Sequence, residues 1–283
     1  FNSDVSGQVI TLDSTNAMTG AVSITHTGSA NVAIDNGTTA LNLGTVGVGQ
    51  NFSATSGGGI TDSGVITVAG TATFVTDVDD IDIVLDSNNA ITGALTFTTQ
   101  TGGPNGADIT FDNGSTAISL AAFTTEGDLT LSTDAAIALP GHTVNGDLTV
   151  TSAAAISQSA AVTVSGTSSF TSTGLNSNIT LSTDSNALTG AVSAATAGSS
   201  GNVTIDNGTT ALNLGTLTVN GDLSIRGGNG ITDSGVITVS GTSLFNSDAS
   251  AKVITLNSAN AMTGAVSITH TGSADVAIDN GTT

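Results

Sequence analysis

The sequence predicts an all-β chain folded as a parallel β-solenoid with coils of about 17–21 residues, and three observations carry that expectation. The first is composition. Hydrophobic residues make up 38%, yet aromatics are 3% and charged residues 8%, with 36 Gly and no Cys, Trp or Tyr. Small and β-branched apolar residues suit a pleated surface, and Gly, Asn, Asp and Ser supply its turns. The second observation is internal repetition, and the third is alternation of apolar residues over very short runs.

Repetition sets the organisation. The phrase DNGTTALNLGT at 35–45 returns unchanged at 206–216, and residues 1–39 align without a gap to 245–283 with six differences. Runs of the form VxGTxxF end on Phe74, Phe170 and Phe245; with Phe1 they mark units 1–73, 74–169, 170–244 and a partial 245–283. The long unit carries about 21 extra residues with a period of their own, since GDLTLSTDAAIA from Gly127 aligns with GDLTVTSAAAIS from Gly146, a step of 19. A stacked solenoid accepts one whole extra coil more readily than a closed sandwich does. The alternative is a string of tandem small β-sandwich repeats, which the Asn-Gly hairpin signals support. The preferred reading makes 1–283 a single continuous solenoid, an internal window of a longer repetitive chain.

The elements follow in order. VITL at 9–12, VSI at 22–24, VAI at 32–34 and LNL at 41–43 read as strands of three to five residues. Between them DNG supplies a corner where glycine takes positive φ. Steps of 20 residues separate Val48 from Val68, Val144 from Val164 and Val219 from Val239; steps of 17 lead on to Leu85, Leu181 and Leu256. This arithmetic gives four rungs in a short unit and a fifth in the long one. Val, Ile, Leu, Ala and the recurrent Phe point inward; Thr, Ser, Asn and Asp point outward.

Twenty-two acidic residues against Arg226 and Lys252 give a formal charge of −20, which excludes a phosphate-neutralising surface and, with it, nucleic acid as a partner. Without cysteine there is no disulfide and no thiolate metal site, and no apolar run is long enough for a transmembrane segment.

Candidate chemistry is sparse. His26 and His270 occupy one repeat position, read as a varying surface residue, and His142 reads as a turn residue. Asp35, Asp112, Asp206 and Asp279 open DNG turns, and Asp62 and Asp233 sit in ITDSG. Oxygen-rich turns suit Ca²⁺, but aspartate is also an ordinary turn former, and the calcium-binding solenoid repeat is absent. Alternation splits Asp77 and Asp79 from Asp80 and Asp82 across two faces, so the acidic run ending at Asp86 does not converge on an ion. Asn36, Asn51, Asn113, Asn178, Asn202, Asn207 and Asn280 begin N-x-S/T triplets, the acceptor pattern for glycosylation. Threonines at 71–73 and 96–98 are too scattered for an ice-ordering face. The sequence therefore assigns no catalytic, cofactor-binding or metal residue.

With GDLTV, GITDSGVITVSGT and LTVNGDL in place, the whole chain resembles the filamentous-haemagglutinin-like adhesins, β-strand-repeat exoproteins of Gram-negative bacteria. The resemblance implies a right-handed parallel β-helix, export to the cell surface, and adhesion or fibre formation. The expected function is a non-catalytic extracellular structural or adhesive rod. Its expected partners are neighbouring repeats or subunits of the same protein end to end, and a host, cell or matrix surface. Two alternatives are a self-assembling filament subunit and a polysaccharide-acting β-helix enzyme. The enzyme is disfavoured because Arg226 and Lys252 lack an acidic cluster beside them in sequence.

Overall fold

A computed structural model describes residues 1–3, 7–14, 16–103 and 106–281. The described residues contain strands, turns and no helix, and each strand pairing between them is parallel. The fold is a parallel β-solenoid; tandem sandwiches, which need antiparallel pairs, are excluded. Contacts divide the protein into two compact units, Phe1–Ala135 and Ala136–Thr283.

In the first unit, Ile10–Leu12, Val32–Asp35, Phe52–Ser56, Ala72–Thr76 and Leu95–Thr98 stack as one five-stranded ladder. Leu41–Val48 is a longer strand whose start pairs with Ile60–Asp62 and whose end pairs with Ile66–Val68. Its burial alternates around a break at Leu43 and Gly44, where the strand turns a corner. The expected inward rows are buried: Leu41, Leu43, Ile60, Ile66, Ile83 and Leu85 are wholly inaccessible. Phe52, Phe74, Phe97 and Phe111 stack at centroid distances of 5.5–5.9 Å, a spacing at which rings gain attraction beyond their buried area.

In the second unit, Ile137–Leu139, Ile156–Gln158, Ile179–Leu181, Val203–Asp206, Leu223–Arg226, Ser243–Ser247 and Val266–His270 form a seven-stranded ladder. A second ladder runs through Leu148–Ser152, Ser168–Leu175, Ala191–Ala197 and Leu212–Val219. A short third one joins Thr143–Val144, Thr163–Val164 and Ala187–Leu188. The 19-residue step read from the long unit is present as the pairing of Ile137 with Ile156.

The 20-residue steps are coil steps, since Val48 pairs with Val68, Val144 with Val164 and Val219 with Val239. The 17-residue steps are not. Val68 pairs with Ile91, Val164 with Leu188 and Val239 with Met262, so those coils are 23 or 24 residues long. Leu85 instead pairs with Phe111 on another ladder. Coils therefore range from 19 residues, Leu41 to Ile60, to 26, Ile83 to Ile109, longer than the 17–21 expected. Alternation marks a strand as half-buried but does not say which ladder it joins.

Four rungs per short unit is corrected by the same pairings. From Phe170 the chain steps to Ala194, Leu217 and Ile237. Phe245, its repeat partner, lies beyond the third step and on the seven-stranded ladder instead. Equivalent residues of two repeats thus occupy different faces of the second unit.

Candidate functional site

Polar side chains gather at the coil corners, and their partners are mostly backbone groups of adjacent coils. The DNG corner shows how. Asp206 Oδ1 accepts the N–H of Gly208 at 2.8 Å, and Gly208 takes φ +56°. This turn tips Asn207 inward, where it is wholly buried. Its Oδ1 accepts the N–H of Leu188 one coil below, and its amide donates to the carbonyls of Leu188 and Ala211 at 3.0 and 2.9 Å. Asn113 repeats the arrangement with Ile91 and Ala117. Asn36 does so with Met18, Thr39 and Ala40. The same slot holds Asn89, Asn186 and Asn260 in other coils, each accepting a backbone N–H from the coil below. Corners lack ladder bonds, and these side chains satisfy the buried backbone groups left over.

A second set of ladders is exposed. Asn178 accepts the N–H of Asn202, Asn202 that of Asp222, and Asp222 that of Thr242, at 2.7–2.9 Å. In the first unit Asp82 and Asp108 do the same for Asp108 and Asp128. A glycine precedes Asp128, Asp222 and Thr242 because the acceptor lies over it: a Cβ on Gly241 would stand 2.4 Å from Asp222 Oδ1, and one on Gly221 or Gly127 2.2 Å from Asn202 or Asp108 Oδ1. The recurrent NGDL and SGT phrases are the sequence trace of this ladder. Sequence reasoning missed both ladders, although Gly before Asp or Thr at 20-residue spacing was a usable signal.

The glycosylation candidates resolve accordingly. Asn36, Asn113 and Asn207 are buried, Asn280 holds the backbone of Met262, and Asn51, Asn178 and Asn202 accept N–H groups from the next coil.

The calcium candidates are likewise engaged by the protein. Asp62 accepts from the Asp86 and Ser87 backbone, the Ser87 hydroxyl and the Asn89 amide. Asp233 accepts from the N–H groups of Asn257 and Ser258 and from the Asn260 amide. Asp35, Asp112 and Asp279 cap their own turns. Asp79 and Asp80 form a turn, with Asp80 at φ +58°, and Asp77 and Asp82 flank it outside the strands, so the alternation assigned to them does not hold. Asp80 and Asp82 accept the N–H groups of Gly106 and Asp108. Among the described residues no group of three His, Asp or Glu side chains converges on one point.

His26 corrects the surface assignment. It is wholly buried, and its Nε2 lies 2.5 Å from the carbonyl of Gln8 in the coil below. His270 makes the equivalent bond to Lys252, and His142 is also buried. Ser56, Thr133 and Ser172 fill comparable strand-end slots, each donating to a carbonyl 17 or 18 residues back. A hydroxyl and an imidazole N–H do the same work there.

Arg226 has the acidic neighbours the sequence did not reveal. Its Nη1 contacts both carboxylate oxygens of Asp206 at 2.8 and 2.7 Å, and its Nε reaches Asp248 at 2.5 Å. The Asp206 bonds, then those to Asp248, raise the guanidinium pKa above its ordinary value. The first unit also carries an open groove of about 360 Å³ lined by residues including Gly47, Val48, Thr67, Val68, Ala69 and Thr92. No ionisable side chain lines it, so it offers no acid or base.

A family of repeats of unknown function (DUF5649) matches residues 29–98, 126–195 and 200–269, well over half of the sequence. No curated protein and no solved structure matches.

Proposed function

The chain belongs to a family of repeats of unknown function (DUF5649), and on that premise we propose that it is a non-catalytic structural or adhesive segment of a bacterial surface fibre. The observation that carries this reading is where the polar side chains are spent. Corner asparagines, ladder aspartates and strand-end hydroxyls bond the backbone of neighbouring coils, which favours stacking over chemistry. Arg226, the residue a polysaccharide-acting enzyme would recruit, is closed in by Asp206 and Asp248. An excess of negative charge keeps neighbouring fibres apart.

Two measurements test it. Deleting residues 221–240, one coil by the pairing of Val219 with Val239, is expected to preserve β structure and cooperative melting, whereas deleting 221–230 destroys both. Loss of structure in both deletions would refute the scaffold role. For adhesion, beads coated with the protein should be retained on epithelial cells or extracellular matrix above albumin-coated beads. Equal retention removes the adhesive half of the proposal.

A further inference from the structure

The protein is rich in Asn-Gly pairs, in which a glycine nitrogen without a neighbouring Cβ can approach the asparagine side chain. The structure treats these pairs unequally. At Asn36, Asn113 and Asn207 the side chain is buried and bonded through both its oxygen and its nitrogen, and the glycine N–H is held by the preceding aspartate. Asn280 repeats those bonds with Met262 and Asp279. Asn220 donates to the Thr196 carbonyl at 2.6 Å, and the N–H of Gly221 is taken by Gly201. Asn145 is exposed as well, but it has an interaction of its own. Asn105 lies outside the described residues, although the N–H of Gly106 is bound to Asp80.

Asn229 differs. It is exposed at the tip of the turn joining Leu223–Arg226 to Ile231–Asp233, and its side chain bonds to nothing. The N–H of Gly230 makes one 3.2 Å bond, to the Gly227 carbonyl within the same turn, and its carbonyl accepts the N–H of Leu212 in the adjacent coil at 3.0 Å.

We propose that Asn229–Gly230 is a spontaneous modification site, the pair at which the folded protein deamidates ahead of the other described Asn-Gly pairs. The Gly230 nitrogen attacks Cγ of Asn229, forming an N–C bond and closing a succinimide; the bond from Cγ to Nδ2 breaks and that nitrogen leaves as ammonia with the proton Gly230 gives up. Solvent water then opens the ring at either carbonyl, leaving aspartate or isoaspartate. The balance is amide plus water to acid plus ammonia, with no oxidant or enzyme. At the locked pairs, the side-chain amide must first break its inter-coil bonds before Cγ can turn toward the nitrogen. At Asn229 it turns freely. The isoaspartate product adds a methylene to the main chain at a corner whose flanking N–H groups, on Gly228 and Ile231, bond Gly208 and Val253 in adjacent coils.

The two basic residues make the test direct. After ageing the folded protein in warm, mildly alkaline buffer and then denaturing it, trypsin releases residues 227–252, which contain this single Asn-Gly pair, apart from 253–283, which contain Asn280. A second protease subdivides 1–226. The acid form is expected to accumulate first in 227–252 and to map to residue 229 by fragmentation, and Asn229→Gln should abolish it. In denaturant the pairs should convert at comparable rates. Conversion of 227–252 no faster than of the other peptides, a gain located at Asn246, or an equal lead for Asn229 in denaturant would each overturn the proposal.

Discussion

Thr242 lies one coil above Asp222 and gives that carboxylate both its backbone N–H and its hydroxyl, at 2.7 and 2.9 Å. Bonds to the charged form, the backbone one first, hold the Asp222 pKa below the usual carboxylate range. A depressed folded pKa contributes stability that is present above the unfolded value, about 3.9, and is lost as pH falls through the folded value. Asp222→Asn keeps an acceptor, as Asn202 does one coil below, but does not titrate. The stability difference between wild type and variant, from urea melts, should therefore change between about pH 5 and about pH 2 in the sense of wild type losing more. A pH-independent difference would contradict the ladder.

Removing a buried corner amide should cost far more. Asn207→Ala strands the N–H and C=O of Leu188 and the C=O of Ala211. Each unsatisfied buried group costs about 1–3 kcal/mol, so with three groups stranded a loss of at least about 3 kcal/mol is expected in denaturant melts. A loss below about 1 kcal/mol would mean that water replaces the amide.

Two glycines should respond oppositely to alanine. On Gly241 a Cβ meets the Gly221 carbonyl oxygen at 2.5 Å as well as Asp222, whereas on Gly47 it meets nothing within 4 Å. Gly241→Ala should destabilise by about 1–3 kcal/mol through overpacking. Gly47→Ala, at a position without positive φ, should be neutral or stabilise by about 0.5 kcal/mol through the unfolded state. Thermal melts of both variants decide.

The Arg226 clamp can be transplanted. Thr55 occupies the matching repeat position, pairing with Asp35 as Arg226 pairs with Asp206, and Asp77 stands where Asp248 does. Thr55→Arg should raise stability by about 0.2–1 kcal/mol at low salt, and the gain should fade as salt is added. A salt-independent gain would point to packing of the stem instead of charge.

Much of the fold was legible because stacking imposes a period that composition cannot hide. Val48 and Val68 lie 20 apart in sequence and pair in space, and Phe74, Phe170 and Phe245 are buried as alternation placed them, whereas Phe1 is exposed. The 17-residue step to Leu85 misled because strands of similar pattern serve several ladders, and only pairing distinguishes them. The corner chemistry was harder to read. Asn207 looks like a surface glycosylation acceptor until the Asp206 turn tips it into the core, and His26 looks like a variable surface residue until its partner at Gln8, eighteen residues back, is known. Arg226 looked isolated for the same reason: its carboxylates are 20 and 22 residues away in sequence.

The mismatch between sequence repeat and coil behaves like two rulers of different pitch laid side by side. In the second unit Ser169 and Leu244 hold the same place in their phrases, next to Phe170 and Phe245, yet they sit on different ladders. A phrase copied along the sequence therefore comes round on a new bearing each time. Any surface chemistry the phrase carries is distributed around the coil axis of that unit, and no single side collects every copy.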